Sequence, residues 1–194
     1  MMNNFVSAVI IVHGQSEYAL MKAIKSKLRL NIEVVARDKG RSSIQITALP
    51  GYFKNREFKN VRALTNHFPT IRYQKHQLIG CRIFTIMDVD DCEDVSVRQN
   101  YIEGHISGLG RHELQPYITP IYCLENFEDV LQDIGFEFVA KTNREKHQYI
   151  QVFGANGVIA DVAAVEKLMT EMAQSKKTNL DVLLKYCLEQ RPRF

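Results

Sequence analysis

At 194 residues, 45% of them hydrophobic and 24% charged, with ten Gly and five Pro, the chain has the composition of one folded globular domain, which excludes disordered and collagen-like classes. Its apolar runs all fall well short of the roughly 20 residues a helix needs to cross a bilayer, so a soluble, cytoplasmic protein with no membrane partner is expected. The net charge is only +3, but it is unevenly spread: residues 22–82 carry 14 Lys or Arg against three acids, and residues 83–140 carry two against 12.

Residues 6–12 form a continuous apolar run, the pattern of a strand covered on both faces, ending at His13-Gly14. Apolar residues at helical spacing follow over 16–30, then a short β-rich run over 32–36 and a turn at Asp38-Lys39-Gly40-Arg41. Ser42-Ser43 is suited to capping a short helix through Leu49, closed by Pro50-Gly51. The basic stretch 52–75 holds a helix over 59–67 ended by Pro69. A strongly apolar third strand, 82–87, delivers Asp88-Val89-Asp90-Asp91 at its carboxyl end. A helix over 97–109, a fourth strand over 117–123, a helix over 124–135 starting at Glu125-Asn126, and amphipathic helices over 162–173 and 180–189 complete the chain. Strands alternating with helices predict an α/β fold: a mainly parallel four-stranded sheet with helices on both faces, plus C-terminal helices. The chain reads as a single domain over 1–194, with a core at about 5–135 and a helical extension at about 136–194. Cys81, Cys92, Cys123 and Cys187 contain no Cys-x-x-Cys pair, which argues for reduced packing residues and against a zinc site.

In a parallel sheet the carboxyl ends of the strands gather on one rim, where open α/β sheets place their ligands. Asp88 and Asp90 sit there, two residues apart, so both can turn toward one cation. Hard carboxylate oxygens suit Mg2+, or Mn2+, and Asp91 lies beside them. Glu125, Glu128 and Asp129 can complete a second metal site, Glu125 being the best placed. Lys39 and Arg41 flank Gly40 where a phosphate could meet cationic side chains and backbone N–H groups together. Lys54, Arg56 and Lys59, interleaved with Tyr52, Phe53 and Phe58, have the composition of a nucleic-acid surface for DNA or RNA. For each of these groups the plainer alternative is a solvated, structural role.

Residues 10–17, Ile-Ile-Val-His-Gly-Gln-Ser-Glu, resemble the opening strand-loop-helix motif of TOPRIM domains, and residues 84–90, Phe-Thr-Ile-Met-Asp-Val-Asp, resemble their strand ending in an Asp-x-Asp pair. Residues 122–128, Tyr-Cys-Leu-Glu-Asn-Phe-Glu, are similar to the acidic strand-helix segment of TOPRIM nucleases of the OLD and RloB type, many of which serve bacterial phage defence. The likeness spans about residues 5–135 with the motifs in the family's order. It implies metal-dependent cleavage of phosphodiesters, with Asp88 and Asp90 binding the metal and a glutamate of the first motif acting as acid or base. The family glutamate stands immediately before the glycine, where this chain has His13; Glu17 matches the second acidic position of the variant motif Glu-Gly-x-Thr-Glu, so His13 and Glu17 share that assignment. A partner ATPase or a homo-oligomer belongs to the same expectation. The alternative is a TOPRIM-like nucleic-acid-binding or regulatory module whose catalysis is impaired by the exchange of glutamate for His13. A haloacid-dehalogenase-type phosphatase fits less well, because that class carries its Asp-x-Asp after the first strand.

Overall fold

A computed structural model describes residues 5–154 and 157–192. Its strands are β1 (Ala8–Val12), β2 (Ile32–Val35), the short pair β3 (Tyr73–Gln74) and β4 (Gln77–Leu78), β5 (Arg82–Asp88) and β6 (Ile118–Cys123). The helices are α1 (Gln15–Lys27), α2 (Leu49–Phe53), α3 (Val61–His67), α4 (Val95–Ile102), α5 (Phe127–Asp133), α6 (Asn143–Lys146), α7 (Tyr149–Val152), α8 (Val162–Gln174) and α9 (Leu180–Gln190).

The fold is α/β, with a four-stranded sheet of order β2-β1-β5-β6 in which every pairing is parallel. All five residues of β1 are buried, because the strand is central and each face carries a helical layer. Ala8, Ile10 and Val12 project into one apolar cluster with Phe84, Ile86 and Ile121, covered by α1, α5, α8 and α9. Val9 and Ile11 project the other way with Ile83 and Met87, covered by α2, α3 and Tyr101 of α4. The C-terminal region is part of this packing: Tyr149, Phe153, Leu168 and Leu184 share the first cluster. Tyr186 of α9 donates its hydroxyl to the Ser7 carbonyl at 2.6 Å, just ahead of β1.

The free edge of β6 is covered by residues that precede and open α9. Asn179 Oδ1 accepts from the Tyr122 amide at 2.9 Å, and the Thr178 hydroxyl donates to the Tyr122 carbonyl at 2.7 Å. The Leu124 amide donates to the Lys177 carbonyl at 2.7 Å. An edge closed this way offers no template for another strand.

Local differences from the sequence reading have identifiable causes. Pro50 does not close a helix: it sits in the first turn of α2, where its fixed φ is pre-organised and its missing N–H has no intrahelical partner to lose. The β3–β4 hairpin went unread because its turn residues, Lys75 (φ 50°) and His76 (φ 61°), occupy the left-handed region without the Gly or Asn that announces it. α4 begins at Val95, capped by the Asp94 side chain, and stops before Gly104, whose φ is 91°. Among the described residues no helix is long and apolar enough to cross a membrane. The four cysteines are free and buried.

The topology also decides where a ligand can enter. From β1 the chain leaves through α1 to β2 on one side; from its neighbour β5 it leaves through α4 to β6 on the other. Connections that part from adjacent parallel strands leave a crevice between their carboxyl ends. His13 follows β1 and Asp88 ends β5, and the His13 amide donates to the Ile86 carbonyl at 2.8 Å, so the two residues face each other across that crevice.

Candidate active site

Each acidic residue of the crevice is held by a specific local device. Glu17 stands in the first turn of α1 and its Oε2 accepts from the Gly14 amide at 3.0 Å, the backward half of a capping box. It is only 2% exposed. Asp88, 5% exposed, is the last residue of β5. The turn after it is pinned from the loop that follows β6: the Glu125 carbonyl accepts from the amides of Val89 at 3.1 Å and Asp90 at 3.3 Å. Glu128, in the first turn of α5, accepts from the Ser16 hydroxyl at 2.6 Å and from the Lys146 ammonium at 2.8 Å. Three elements far apart in sequence thus converge on one group of carboxylates.

His13 is clamped by a reciprocal pair with Ile44. The Ile44 amide donates to the His13 carbonyl at 2.9 Å, and His13 Nδ1 lies 3.0 Å from the Ile44 carbonyl. A carbonyl can only accept, so Nδ1 carries a proton and the neutral ring keeps its lone pair on Nε2. Nε2 lies 3.7 Å from Asp88 Oδ2, while Nδ1 lies 3.9 Å from Asp91 Oδ2. The imidazole is therefore oriented as a base or ligand toward the crevice, with its tautomer set by backbone.

The electrostatics are those of a negative cluster short of positive charge. Burial, reinforced by Glu17, Glu128 and Asp90, pushes the Asp88 carboxyl up to about 10. Glu17 is raised chiefly by burial, against the opposing pull of His13, and Asp91 is raised for the same reasons. Burial works against the Lys146 ammonium, but Glu128, Glu17 and Asp88 outweigh it, so its pKa is raised and it stays charged. Asp88 Oδ1 and Asp91 Oδ1 are both buried without a hydrogen-bond partner. Such orphaned acceptors are rare and costly.

Oxygen donors in this state fit a hard divalent cation. Among the described residues no three His, Cys, Asp or Glu side chains are already set to hold a metal ion. The fit therefore rests on donor chemistry and on the two orphaned oxygens, which lack only a positive partner.

A cavity of about 890 Å3 opens over the cluster, bordered by His13, Asp88, Asp90, Glu128 and Lys146. A second, of about 470 Å3, lies beyond His13 and Lys146 and is bordered by Gly40 and Arg41. The residues named from sequence distribute unequally around them. His13, Asp88 and Asp90 border the first cavity, and Glu17 and Asp91 lie against the same cluster through their interactions with His13. Glu125 is exposed and borders neither cavity; its backbone carbonyl, not its carboxylate, serves the site. The buried carboxylate from this segment is Glu128.

Gly40 and Arg41 reach the second cavity, whereas Lys39 borders a separate one of about 230 Å3 with Glu33 and Phe68. Lys54, Arg56 and Lys59 are exposed and border neither of the two site cavities. The aromatics between them are not free to stack on bases: Phe53 and Phe58 are fully buried, and Tyr52 packs on Phe58 with ring centroids 5.3 Å apart.

Lys146 and Ser16 belong to the site but were not read from sequence. Ser16 had a signal, since it adjoins Glu17 in the first turn of α1. Lys146 had none, because only the return of α6 over the rim brings it to Glu128. Against this geometry, comparison with known protein families, curated proteins and solved structures finds no match to the chain.

Proposed function

We propose that this protein is a TOPRIM-type nuclease that hydrolyses phosphodiester bonds of DNA or RNA with Mg2+ or Mn2+, in the cytoplasm and in a phage-defence setting. The observation that carries the reading is Asp88: a carboxylate buried at the switch point of a parallel sheet, ringed by Glu17, Glu128 and Asp90, with one oxygen orphaned. A group so costly to bury in that state is explained by a cation it is built to meet.

Asp88 and Asp90 would hold the ion, with the orphaned oxygen of Asp91 beside them. When bound, the ion would supply charge neutralisation on the phosphate oxygens and acidify the attacking water. His13 presents its Nε2 lone pair to the crevice and takes the proton of the attacking water. Glu17 fixes the loop that carries His13 by accepting from the Gly14 amide. Lys146 brings fixed positive charge to the wall of the cavity, where negative charge develops on the phosphoryl group. A partner ATPase or self-assembly, as in the nucleases that the chain resembles, is part of the same proposal.

One observation favours a second reading. The Lys146 ammonium already lies 2.8 Å from Glu128, and His13 stands where the family has a glutamate, so the centre can be balanced without an ion. On that reading the chain is a nucleic-acid-binding or regulatory module.

Calorimetric titration of Mg2+ and Mn2+ into wild type and an Asp88→Ala/Asp90→Ala variant, with cleavage assays on single- and double-stranded DNA and RNA, separates the two. Saturable binding and cleavage, both lost in the variant, are expected of the nuclease. Nucleic-acid affinity that is intact in the variant, with no metal binding in either protein, would establish the module.

A further inference from the structure

The second cavity differs in kind from the acidic centre beside it. Of the residues that border it, none among those described is acidic, whereas the first cavity is bordered by Asp88, Asp90, Glu128 and Asp129 among others. Arg41 and Lys146 bring fixed positive charge, and Ser43 and Asn143 bring neutral hydrogen-bonding groups. The two cavities share His13, Asn143 and Lys146, so the anion-attracting space begins where the carboxylates end.

The walls of this cavity are tied together. Gln15 Nε2, on the side of α1, lies 2.7 Å from His147 Nδ1, just past α6. An amide nitrogen donates, so His147 Nδ1 accepts and the neutral ring keeps its proton on Nε2 as one more donor. The opposite wall depends on Gly40. Its φ is +87°, and a Cβ built there would come within 2.7 Å of the Gln15 Cα, so no other residue lets the loop lie so close to α1 with Arg41 next in line.

From this geometry we infer that the cavity between Arg41 and His147 is a phosphate-monoester site, which seats the phosphorylated end of a nucleic-acid strand beside the carboxylate centre. The inference rests on the nuclease reading for its purpose, and on the cavity itself for its existence. The Arg41 guanidinium, together with the Lys146 ammonium that this space shares with Glu128 and the neutral donors around them, matches a dianionic monoester better than the single charge of an internal diester. The Gln15–His147 bridge spans one side of the cavity. An end anchored here lays the adjoining phosphodiester toward Asp88, and strand ends would be trimmed in preference to interior sites.

The test uses the full chain with Arg41→Ala and His147→Gln, both at exposed positions so that the core is spared. Inorganic phosphate is titrated by calorimetry. Fluorescence anisotropy, without divalent ions, then compares one oligonucleotide carrying a 5′-phosphate, a 3′-phosphate or neither. Wild type should bind phosphate saturably, with affinity reduced about tenfold or more in Arg41→Ala, and should prefer one phosphorylated strand by a margin that shrinks in both variants. Absence of saturable phosphate binding, or equal phosphate affinity in Arg41→Ala, overturns the site. Equal affinity for all three oligonucleotides overturns the assignment to strand ends. Strand-end preference without metal-dependent cleavage leaves the site standing and removes the nuclease reading instead.

Discussion

Replacing Asp88 by Asn should make the metal-free protein more stable. The carboxyl is pushed from 3.8 to about 10 by burial and by Glu17, Glu128 and Asp90. Because its folded pKa is raised, the carboxyl favours the folded state fully only below its unfolded pKa, and that contribution is lost as pH rises toward 10. At neutral pH the unfolded chain releases this proton freely while the folded chain must retain it or bear the buried charge. From the unfolded pKa to neutrality that is about 4 kcal/mol as an upper bound, at about 1.4 kcal/mol per pH unit. The proton is shared within the cluster, so about half, ~2 kcal/mol, is the expected gain, or a rise in Tm of about 4–8 °C for a chain of this size. Asn keeps the shape and removes the ionisation. The assay is thermal unfolding followed by circular dichroism in a chelating buffer, from about pH 5 to about pH 9, with the gap between variant and wild type widening as pH rises. Mg2+ should raise the Tm of wild type and leave the variant unmoved. A variant that melts at or below wild type, or a gap that does not grow with pH, refutes the account of the orphaned carboxylate.

Gly40→Ala forces a Cβ to within 2.7 Å of the Gln15 Cα and 2.9 Å of the Gly14 carbonyl at a φ of +87°; a loss of about 2–3 kcal/mol in urea unfolding is expected. Lys146→Gln removes the ammonium from Glu128 and should weaken stability by about 1 kcal/mol, since the pair is partly solvated; calorimetry should at the same time show tighter Mg2+ binding, because an internal competitor is gone. Asn179→Ala strips the Tyr122 amide and the Pro120 carbonyl of their partners at the β6 edge, at a cost of about 1–2 kcal/mol, and hydrogen exchange at Tyr122 should accelerate ahead of that in β1.

What could be read from sequence was whatever local pattern controls. The apolar runs of β1 and β5 are buried on both faces, so their periodicity is unmistakable, and Asp88 is legible because it terminates such a run. The shared rim followed from the alternation of strands and helices, whereas the switch point between β1 and β5 needed the strand order of the folded sheet. What could not be read depended on contacts between distant segments. Glu125 and Glu128 belong to the same acidic segment, and only the docking of α5 against α1, through Ser16, selects Glu128 for burial. Phe53 and Phe58 look like a base-stacking surface when counted beside Lys54 and Lys59, yet both fill the core under the sheet. α6 and α7 are four residues each, too short to show a helical period, so Tyr149 and Lys146 carried no advance signal.

The tie between Tyr186 and Ser7 joins positions 179 apart in sequence. It fastens α9 to the start of β1, the strand that leads into His13, while α6 reaches over the rim to bring Lys146 to Glu128. A hydrolytic activity built on the carboxylate centre would therefore exist only while α6 and α9 stay packed on the sheet, and local opening of either would silence it before the sheet itself came apart.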